Sequence, residues 1–432
     1  MINKQRRLVG TCLVLALGIT IGFLIARSTE ETPSIMPSAQ AAGGRVETPT
    51  GEATDRYVYY PGTEALDKGE IRVFAAGTGL PAARRGQAAT CFLIECGNGD
   101  KFIFDIGTGS MANIAALMIP NQYLDKVFLS HLHTDHMGDI DALWAGGWTA
   151  GRPNALRVWG PSGETPEMGT KYAMEHFLKF CNWDYQTRAY KISPVPGQID
   201  VTEFDYKGIN QVVYQENGVT IRSCPAIHAG DGPVSYTLEY AGLKIGFSGD
   251  TVVNKWFIDM CDGADFILHE SMPTPEILVK FYNQPSQLAW RASAEFHTSP
   301  AAVGKFFSIV KPRHAACFHW FNEEGTRYLH YDAVRQTYDG PLSMATDLMV
   351  WNVTKKNINE RLAVIVENAW SVPGTAKQPP PERGRTPVMT KLIESGRTDV
   401  MEAEKKMLND FWNKHGVAPG PPYDKIYEPK KK

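Results

Sequence analysis

The residues best suited to chemistry lie in the ten-residue stretch from Ser130 to Asp139, which reads SHLHTDHMGD. Within it, His131, His133, Asp135 and His136 carry the imidazole and carboxylate groups that bind zinc and similar divalent metals. His131 and His133 are two apart on an extended chain, so they share one face and can hold one ion. Asp135 and His136 follow after the chain turns, so they can face a second ion. Because the chain has only 11 histidines in 432 residues, this clustering favours a metal site over an ordinary polar loop.

Further candidate ligands lie near the ends of predicted strands, far from this cluster in the sequence. Asp250 lies in a Ser-Gly-Asp-Thr turn, where the glycine allows a sharp bend that presents the carboxylate. A site for two metals needs about seven protein ligands if a water is to bridge the ions. The predicted allocation places His131, His133 and His228 on one ion, Asp135, His136 and His319 on the other, and Asp250 between them.

The remaining histidines of this region are weaker candidates. His314 and His330 are close to His319 in sequence and compete with it for the last ligand position. We expect His269 to be structural, because the other ligands already fill the site. Its neighbour Glu270 is a candidate for orienting a ligand imidazole.

Short apolar runs bounded by turn residues predict a succession of strands with helices between them. This pattern is typical of a mixed α/β sandwich. The predicted strands are 71–76, 89–96, 101–106, 127–129, 156–160, 212–214, 219–227, 234–240, 243–248, 266–270 and 314–320, and the predicted helices are 112–119, 163–184, 301–310 and 388–414.

The His-x-His-x-Asp-His pattern at 131–136 resembles the signature of the metallo-β-lactamase-fold superfamily. The likeness runs from about Ile71 to about His319 and is nearest to the ribonuclease Z and alkyl/aryl-sulfatase-like branch. More narrowly, the chain is similar to exported bacterial metallo-hydrolases of the guanitoxin-biosynthesis type. The further matching motifs are Gly-Thr-Gly-Leu-Pro at 77–81, Phe-Asp-Ile-Gly at 104–107, Gly-Pro at 160–161, Ser-Gly-Asp-Thr at 248–251, His-Glu at 269–270 and His-Thr at 297–298.

The resemblance implies an αββα sandwich, in which two mixed β-sheets are flanked by helices. The catalytic domain would span 57–372, with 163–215 inserted as a cap or lid. By the same resemblance Asp250 bridges two divalent ions, His319 is the last ligand and His297 stands over the site as proton donor or oxyanion partner. Zinc is the favoured metal, while manganese and iron stay open because these ligands accept all three.

The two ends of the chain have a different character from the middle. Residues 1–27 combine basic residues with an apolar run, as in a signal peptide or signal anchor, and 28–56 read as a linker. We therefore expect a periplasmic or secreted protein, with an inner-membrane anchor left open. Residues 373–432 are predicted to form an extension with a Pro-rich linker and a surface helix. A homodimer also stays open.

Six cysteines lie beyond the N-terminal apolar run, and none forms a Cys-x-x-Cys pair. A separate thiolate zinc site is therefore not expected. Disulfides are allowed in an exported domain, but the strand-like settings favour buried thiols.

A bridging hydroxide between two ions would be ready to attack a phosphoryl, sulfuryl or acyl centre, with Asp135 aligning it. This predicts a hydrolase of a small ester, either a phosphodiester, a sulfate ester or a lactone.

The alternative is a ribonuclease Z-like phosphodiesterase or nuclease. Against it, the interval from His228 to Asp250 is too short for the long exosite arm of the transfer-RNA-processing enzymes, and the net charge of −3 provides no broad basic field. The intact ligand set also argues against a binding protein with a degraded site.

Overall fold

The computed structural model describes residues 47–48, 51–52, 58–82, 84–381, 389–420 and 423–430. The predicted signal or anchor segment, 1–27, and most of the predicted linker lie outside the described residues. Within the described ranges, no helix has both the length and the apolar character that crossing a bilayer requires.

Most of the strands form two mixed sheets. The nine-stranded sheet has the order β3-β18-β17-β4-β5-β6-β7-β8-β9, and the seven-stranded sheet runs from β10 to β16 in chain order. The strands are β1 Glu47–Thr48, β2 Gly51–Glu52, β3 Val58–Tyr59, β4 Ile71–Gly77, β5 Cys91–Cys96, β6 Lys101–Phe104, β7 Lys126–Phe128, β8 Leu156–Pro161, β9 Ile199–Phe204, β10 Gln211–Glu216, β11 Val219–Pro225, β12 Val234–Tyr240, β13 Leu243–Phe247, β14 Phe266–Glu270, β15 His314–Phe318, β16 Leu342–Met344, β17 Met349–Val353 and β18 Ile358–Ala363.

Helices cover the outer faces of both sheets. The α-helices are Ser110–Ala115, Thr134–Met137, Ile140–Thr149, Thr170–Phe180, Asn182–Ala189, Lys255–Met260, Pro275–Tyr282, Ser286–Arg291, Pro300–Val310, Glu324–Arg335, Lys391–Ser395 and Met401–His415. The predicted αββα sandwich is therefore confirmed.

The strand β4 shows why the central strands read as continuous apolar runs. Side chains alternate between the two faces of a strand, so a strand covered on both faces needs apolar residues at every position. Ile71 and Val73 enter the core between the sheets, whereas Phe74 and Ala76 enter the layer beneath the helices. The same reasoning explains why the strands could be located from the sequence without an alternating pattern.

Aromatic side chains fill the space between the two sheets. Phe104 of β6 stacks on Phe128 of β7 at a centroid distance of 5.4 Å. It also meets Tyr236 and Phe247 of the opposite sheet at 5.6 and 5.7 Å. Because β6 and β7 lead directly into the histidine cluster, this core fixes the strands that carry the candidate site.

The stretch 163–215, expected to be a cap or lid, supplies parts of the sandwich as well as a wall above the site. The helix predicted over 163–184 begins at Thr170 and is interrupted at Cys181. Its Met174 packs in the same core as Trp144. The strands β9 and β10, which end this stretch, form an outer edge of each sheet.

Several elements after His319 were not predicted from the sequence. The helix Glu324–Arg335 and the strands β16 to β18 extend the sandwich, and β17 pairs with β4 in the nine-stranded sheet. The expectation of buried thiols is confirmed for the described cysteines, which are all free and, apart from the half-buried Cys181, buried.

The predicted C-terminal extension begins against the body of the fold. The carbonyl of Val372 accepts hydrogen bonds from the backbone and the side chain of Asn121. The side-chain oxygen of Gln122 accepts the N–H groups of Thr375 and Ala376. Where one surface helix was predicted, the structure has the two helices Lys391–Ser395 and Met401–His415, largely exposed.

Replacing Phe104 by Ala should lower the free energy of unfolding by about 3–5 kcal/mol, because a cavity would open between the two sheets. The matched control is Phe180→Ala, at a position that is 89% exposed, which should change stability by less than about 0.5 kcal/mol. Denaturant unfolding of both variants measures the difference. Equal effects would contradict the assignment of Phe104 to the core.

Candidate metal centre

Most of the candidate ligands follow the carboxyl ends of parallel strands; His228 instead follows β11, which pairs antiparallel with both of its neighbours. In the nine-stranded sheet β6 and β7 are parallel, and in the other sheet β13, β14 and β15 are parallel. The carboxyl ends of such strands are the usual place for a site in α/β folds, since the loops that follow them are free to carry polar residues. Asp105 follows β6, His131 to His136 follow β7, Asp250 follows β13, Glu270 ends β14 and His319 follows β15.

One group of potential ligand atoms comes from His131, His133, His228 and Asp250, all within 4.8 Å of one another. The Nδ1 atom of His228 donates to the carbonyl of Phe296 at 2.6 Å, so its Nε2 atom carries the free lone pair. That Nε2 lies 3.2 Å from Nδ1 of His133. The two rings therefore direct nitrogen atoms to one point.

A second group comes from Asp135, His136, Asp250 and His319, within the same limit and entirely buried. The Nε2 atom of His319 lies 3.2 Å from Oδ2 of Asp135 and 3.3 Å from Oδ2 of Asp250. The Nε2 atom of His136 lies 3.6 and 3.3 Å from the same two oxygens. The two groups share Asp250, as the sequence predicted for a bridging carboxylate.

Glycine at 249 allows Asp250 to reach this position. Gly249 has φ +56°, and a Cβ atom there would lie 2.6 Å from the Cβ of Ser130. A larger residue would have to push the turn away from the histidine-bearing loop. The two sheets can approach each other closely at this point because Gly249 has no side chain.

Asp105 holds the histidine-bearing loop from beneath. Its Oδ2 atom accepts hydrogen bonds from Nδ1 of His136 at 2.6 Å and from the hydroxyl of Ser130 at 2.7 Å. Its Oδ1 atom accepts the backbone N–H of Ser130 at 2.7 Å. Because Nδ1 of His136 donates to Asp105, its Nε2 is the nitrogen that faces the centre and would bind a metal. The Ser130 hydroxyl also lies 3.1 Å from Nδ1 of His131 and orients that ring in the same way.

Glu270 organises the other side of the site. Its Oε1 atom accepts hydrogen bonds from Nδ1 of His297 at 3.0 Å and from the backbone N–H groups of Thr251 and Thr298. Glu270 therefore orients His297, whereas the sequence had suggested that it would orient the imidazole of a metal ligand. The His297 ring is 4.7 Å from that of His228 and 5.0 Å from that of His319.

Several buried polar atoms of this centre have no hydrogen-bond partner. They are Nε2 of His131, Nε2 of His136, Nδ1 of His319, Oδ1 of Asp250 and Oε2 of Glu270. Buried polar atoms are almost always paired, so a concentration of unpaired nitrogen and carboxylate atoms needs a partner of complementary chemistry. Imidazole and carboxylate donors of this kind fit divalent metal ions.

Burial and charge shift the pKa values in opposite directions across the centre. Burial lowers the pKa of His228 to about 4 and lowers that of His131 well below its usual value. Burial would raise the pKa of Asp250, but the imidazoles of His136 and His319 hold it well below its usual value. Burial would likewise lower the pKa of His297, yet Glu270 raises it to about 9. Asp250 is thus kept ionised, and His297 keeps a proton at neutral pH.

All seven predicted ligands come together, whereas the competing histidines lie elsewhere. His314 begins β15 and so lies at the strand end remote from His319. The Nε2 atom of His330 is 2.8 Å from the hydroxyl of Ser271, and His269 is buried against Phe306. Asp105 was recognised in the sequence only as part of a motif, and its strand-end position was the signal for its role.

A cavity of about 260 Å³ opens beside the first ligand group. Its floor includes His131, His133 and His228, and its walls include Pro161, Met168 and Asp231. A small molecule in this cavity would therefore contact the imidazoles directly.

Comparisons with known proteins identify the family of this chain. A family model described as "Beta-lactamase superfamily domain" matches residues 90–320. Ribonuclease Z of Mycobacterium avium (strain 104) is 30% identical over 206 residues, which cover 46% of this chain and 69% of that protein. Ribonuclease Z of Mycobacterium marinum (strain ATCC BAA-535 / M) is 27% identical over 220 residues, covering 50% and 75%.

Among solved structures, the metallo-beta-lactamase fold protein YhfI from Bacillus subtilis has a similar fold. The two share 16% sequence identity with a TM-score of 0.50, over 66% of this chain and 100% of that chain. At this identity the likeness concerns the fold alone.

Replacing Asp105 by Asn should weaken metal binding by about 10–100-fold, because the amide no longer fixes the tautomer of His136. Metal titration of the chelator-treated protein measures the change. The matched control is Asp125→Asn, another buried aspartate, which pairs with Arg157 at the opposite end of β7 and β8. Unchanged affinity in the Asp105 variant would contradict its assigned role.

Proposed function

This chain belongs to the β-lactamase superfamily, in the ribonuclease Z branch, and is a hydrolase that acts on ester bonds; we propose that it uses two divalent metal ions to cleave a small ester. The observation that carries the proposal is the pair of ligand groups sharing Asp250. A single shared carboxylate between two sets of nitrogen and oxygen donors is the arrangement that a dinuclear site requires.

The first ion would be held by His131, His133 and His228, and the second by Asp135, His136 and His319, with Asp250 between them. Two such ions would lower the pKa of a water shared between them and so supply hydroxide near neutral pH. We propose zinc as the metal, with manganese or iron compatible with the same donors.

Residues of the chain itself would prepare the rest of the reaction. Asp135, of the second ligand group, would accept a hydrogen bond from the attacking water. His297 keeps a proton on each ring nitrogen, since Glu270 accepts the one on Nδ1 and raises the pKa to about 9. Its other N–H would then be available to the leaving-group oxygen.

The cavity beside the first ligand group supports a small substrate. Its volume of about 260 Å³ suits a compact phosphodiester, sulfate ester or lactone. We propose action outside the cytoplasm from the signal-like composition of residues 1–27, which lie outside the described residues.

A ribonuclease Z-like activity on RNA is the second candidate, favoured by the 30% identity to the M. avium enzyme. Against it, the chain between His228 and Asp250 forms only the paired strands β12 and β13 and their connections. These strands and connections leave no room for a long arm that could bind an RNA away from the cleavage site.

The purified protein should contain about two equivalents of divalent metal and hydrolyse at least one substrate in a panel of aryl phosphodiester, aryl sulfate and lactone. A chelator should abolish the activity, and zinc or manganese should restore it. The panel includes a precursor transfer RNA, because cleavage of that substrate alone would support the second candidate. A protein that binds no metal and turns over nothing would refute the hydrolase proposal.

Replacing His297 by Ala should lower the turnover number by about 100-fold or more while leaving the metal content intact, since His297 would deliver a proton and lies outside the two ligand groups that share Asp250. His176→Ala, which removes an exposed histidine, is the matched control and should leave both quantities unchanged. Loss of metal from the His297 variant would show that the residue supports the metal centre instead.

A further inference from the structure

We infer that Asp231 is a specificity-determining residue and that the substrate carries a positively charged group beside its ester. The inference rests on the proposed function, because it names the class of ester that the same site accepts. It follows from the charges that line the cavity and from the way the carboxylate is held.

The cavity combines an apolar wall with one carboxylate. Among the described residues that line the cavity, Asp231 has the only charged side chain apart from the three imidazoles of the first ligand group. An apolar wall would accommodate hydrocarbon, and the carboxylate would attract a cation at the end of the cavity away from the imidazoles. The apolar wall consists of Leu132, Pro161, Met168, Ala229 and Pro233.

Asp231 is an exposed carboxylate that is held in place by a hydrogen bond from Tyr206. Its Oδ2 atom accepts a hydrogen bond from the hydroxyl of Tyr206 at 2.7 Å. Among the described ion pairs, none joins its carboxylate to a Lys or Arg. The nearby Lys207 lies over the ring of Tyr206 at 5.2 Å. Lys207 also interacts electrostatically with Asp231, but no described hydrogen bond or ion pair involves the Oδ1 atom of Asp231, and that oxygen is open to a ligand.

The position of Asp231 relative to the ligands sets how a substrate would lie. It comes three residues after His228, and both line the same cavity. An ester group at the imidazoles would therefore leave the rest of a small molecule extending along the apolar wall toward the carboxylate. A quaternary or protonated amine at that end would be paired there, and an anionic chain of phosphates would not.

The test compares two probes of equal shape, choline and its uncharged isostere 3,3-dimethylbutan-1-ol, binding to the metal-loaded protein. Both probes carry the same hydroxyl group, and neither the trimethylammonium group of choline nor the tert-butyl group of the isostere has a lone pair for a metal. The comparison therefore reports the charge of the cavity. We expect choline to bind about 5–10-fold more tightly, measured by titration calorimetry or NMR. In Asp231→Asn the ratio of the two affinities should fall to about 1.

Asp200→Asn is the matched control, because it removes one exposed negative charge at the amino end of β9, the end opposite the site. It should keep the preference for choline. Equal affinities in the unaltered protein, no choline binding at about 50 mM, or a ratio that Asp231→Asn leaves unchanged would each overturn the inference. These are binding measurements, so their failure is distinct from failure of the hydrolase proposal, which the metal and substrate assays decide.

Discussion

The structure around the candidate centre depends on one buried carboxylate surrounded by imidazoles. The Oδ2 atom of Asp250 lies within 3.3–3.9 Å of a nitrogen of each of five histidines, and the carboxylate is almost fully buried. A buried charge is costly unless it is matched by opposite charge or by a metal. The surroundings must therefore keep these groups together, which explains why both sheets, several strand ends and a glycine turn converge on this point.

The outer partners of the ligands show how that convergence is maintained. Asp105 and Glu270 are fully buried carboxylates that accept from imidazole Nδ1 atoms and from backbone N–H groups. Each joins a ring to the loop of a neighbouring strand, so the ring cannot rotate without breaking contacts in the sheet. The two carboxylates thus have different roles. Asp105 orients a proposed ligand, and Glu270 orients the proposed proton donor.

Much of this could be predicted from the sequence, because the information was local. The ligands from His131 to His136 lie within one turn, and strand ends followed by Gly-Asp could be recognised by composition. The choice of His319 over His314 and His330 required the direction of β15, since only the residue beyond its carboxyl end can face the site. The cavity wall could not be predicted, because Met168 and Asp231 meet only after two distant loops pack over the histidines.

The strands after His319 show a similar limit. β17 pairs with β4 from the other end of the domain, and no local pattern specifies such a distant partner. The break at Cys181 likewise reflects packing of two short helices over Trp144 and Trp148, which overrides a continuous helical pattern.

X-ray diffraction from crystals of the metal-loaded protein, recorded on both sides of the absorption edge of the bound metal, tests this account most directly. Two anomalous peaks on either side of the Asp250 carboxylate, one bonded to His131, His133 and His228 and the other to Asp135, His136 and His319, are the predicted result. A single peak, or metal bound by other residues while Asp250 keeps only hydrogen bonds to the imidazoles, would contradict it.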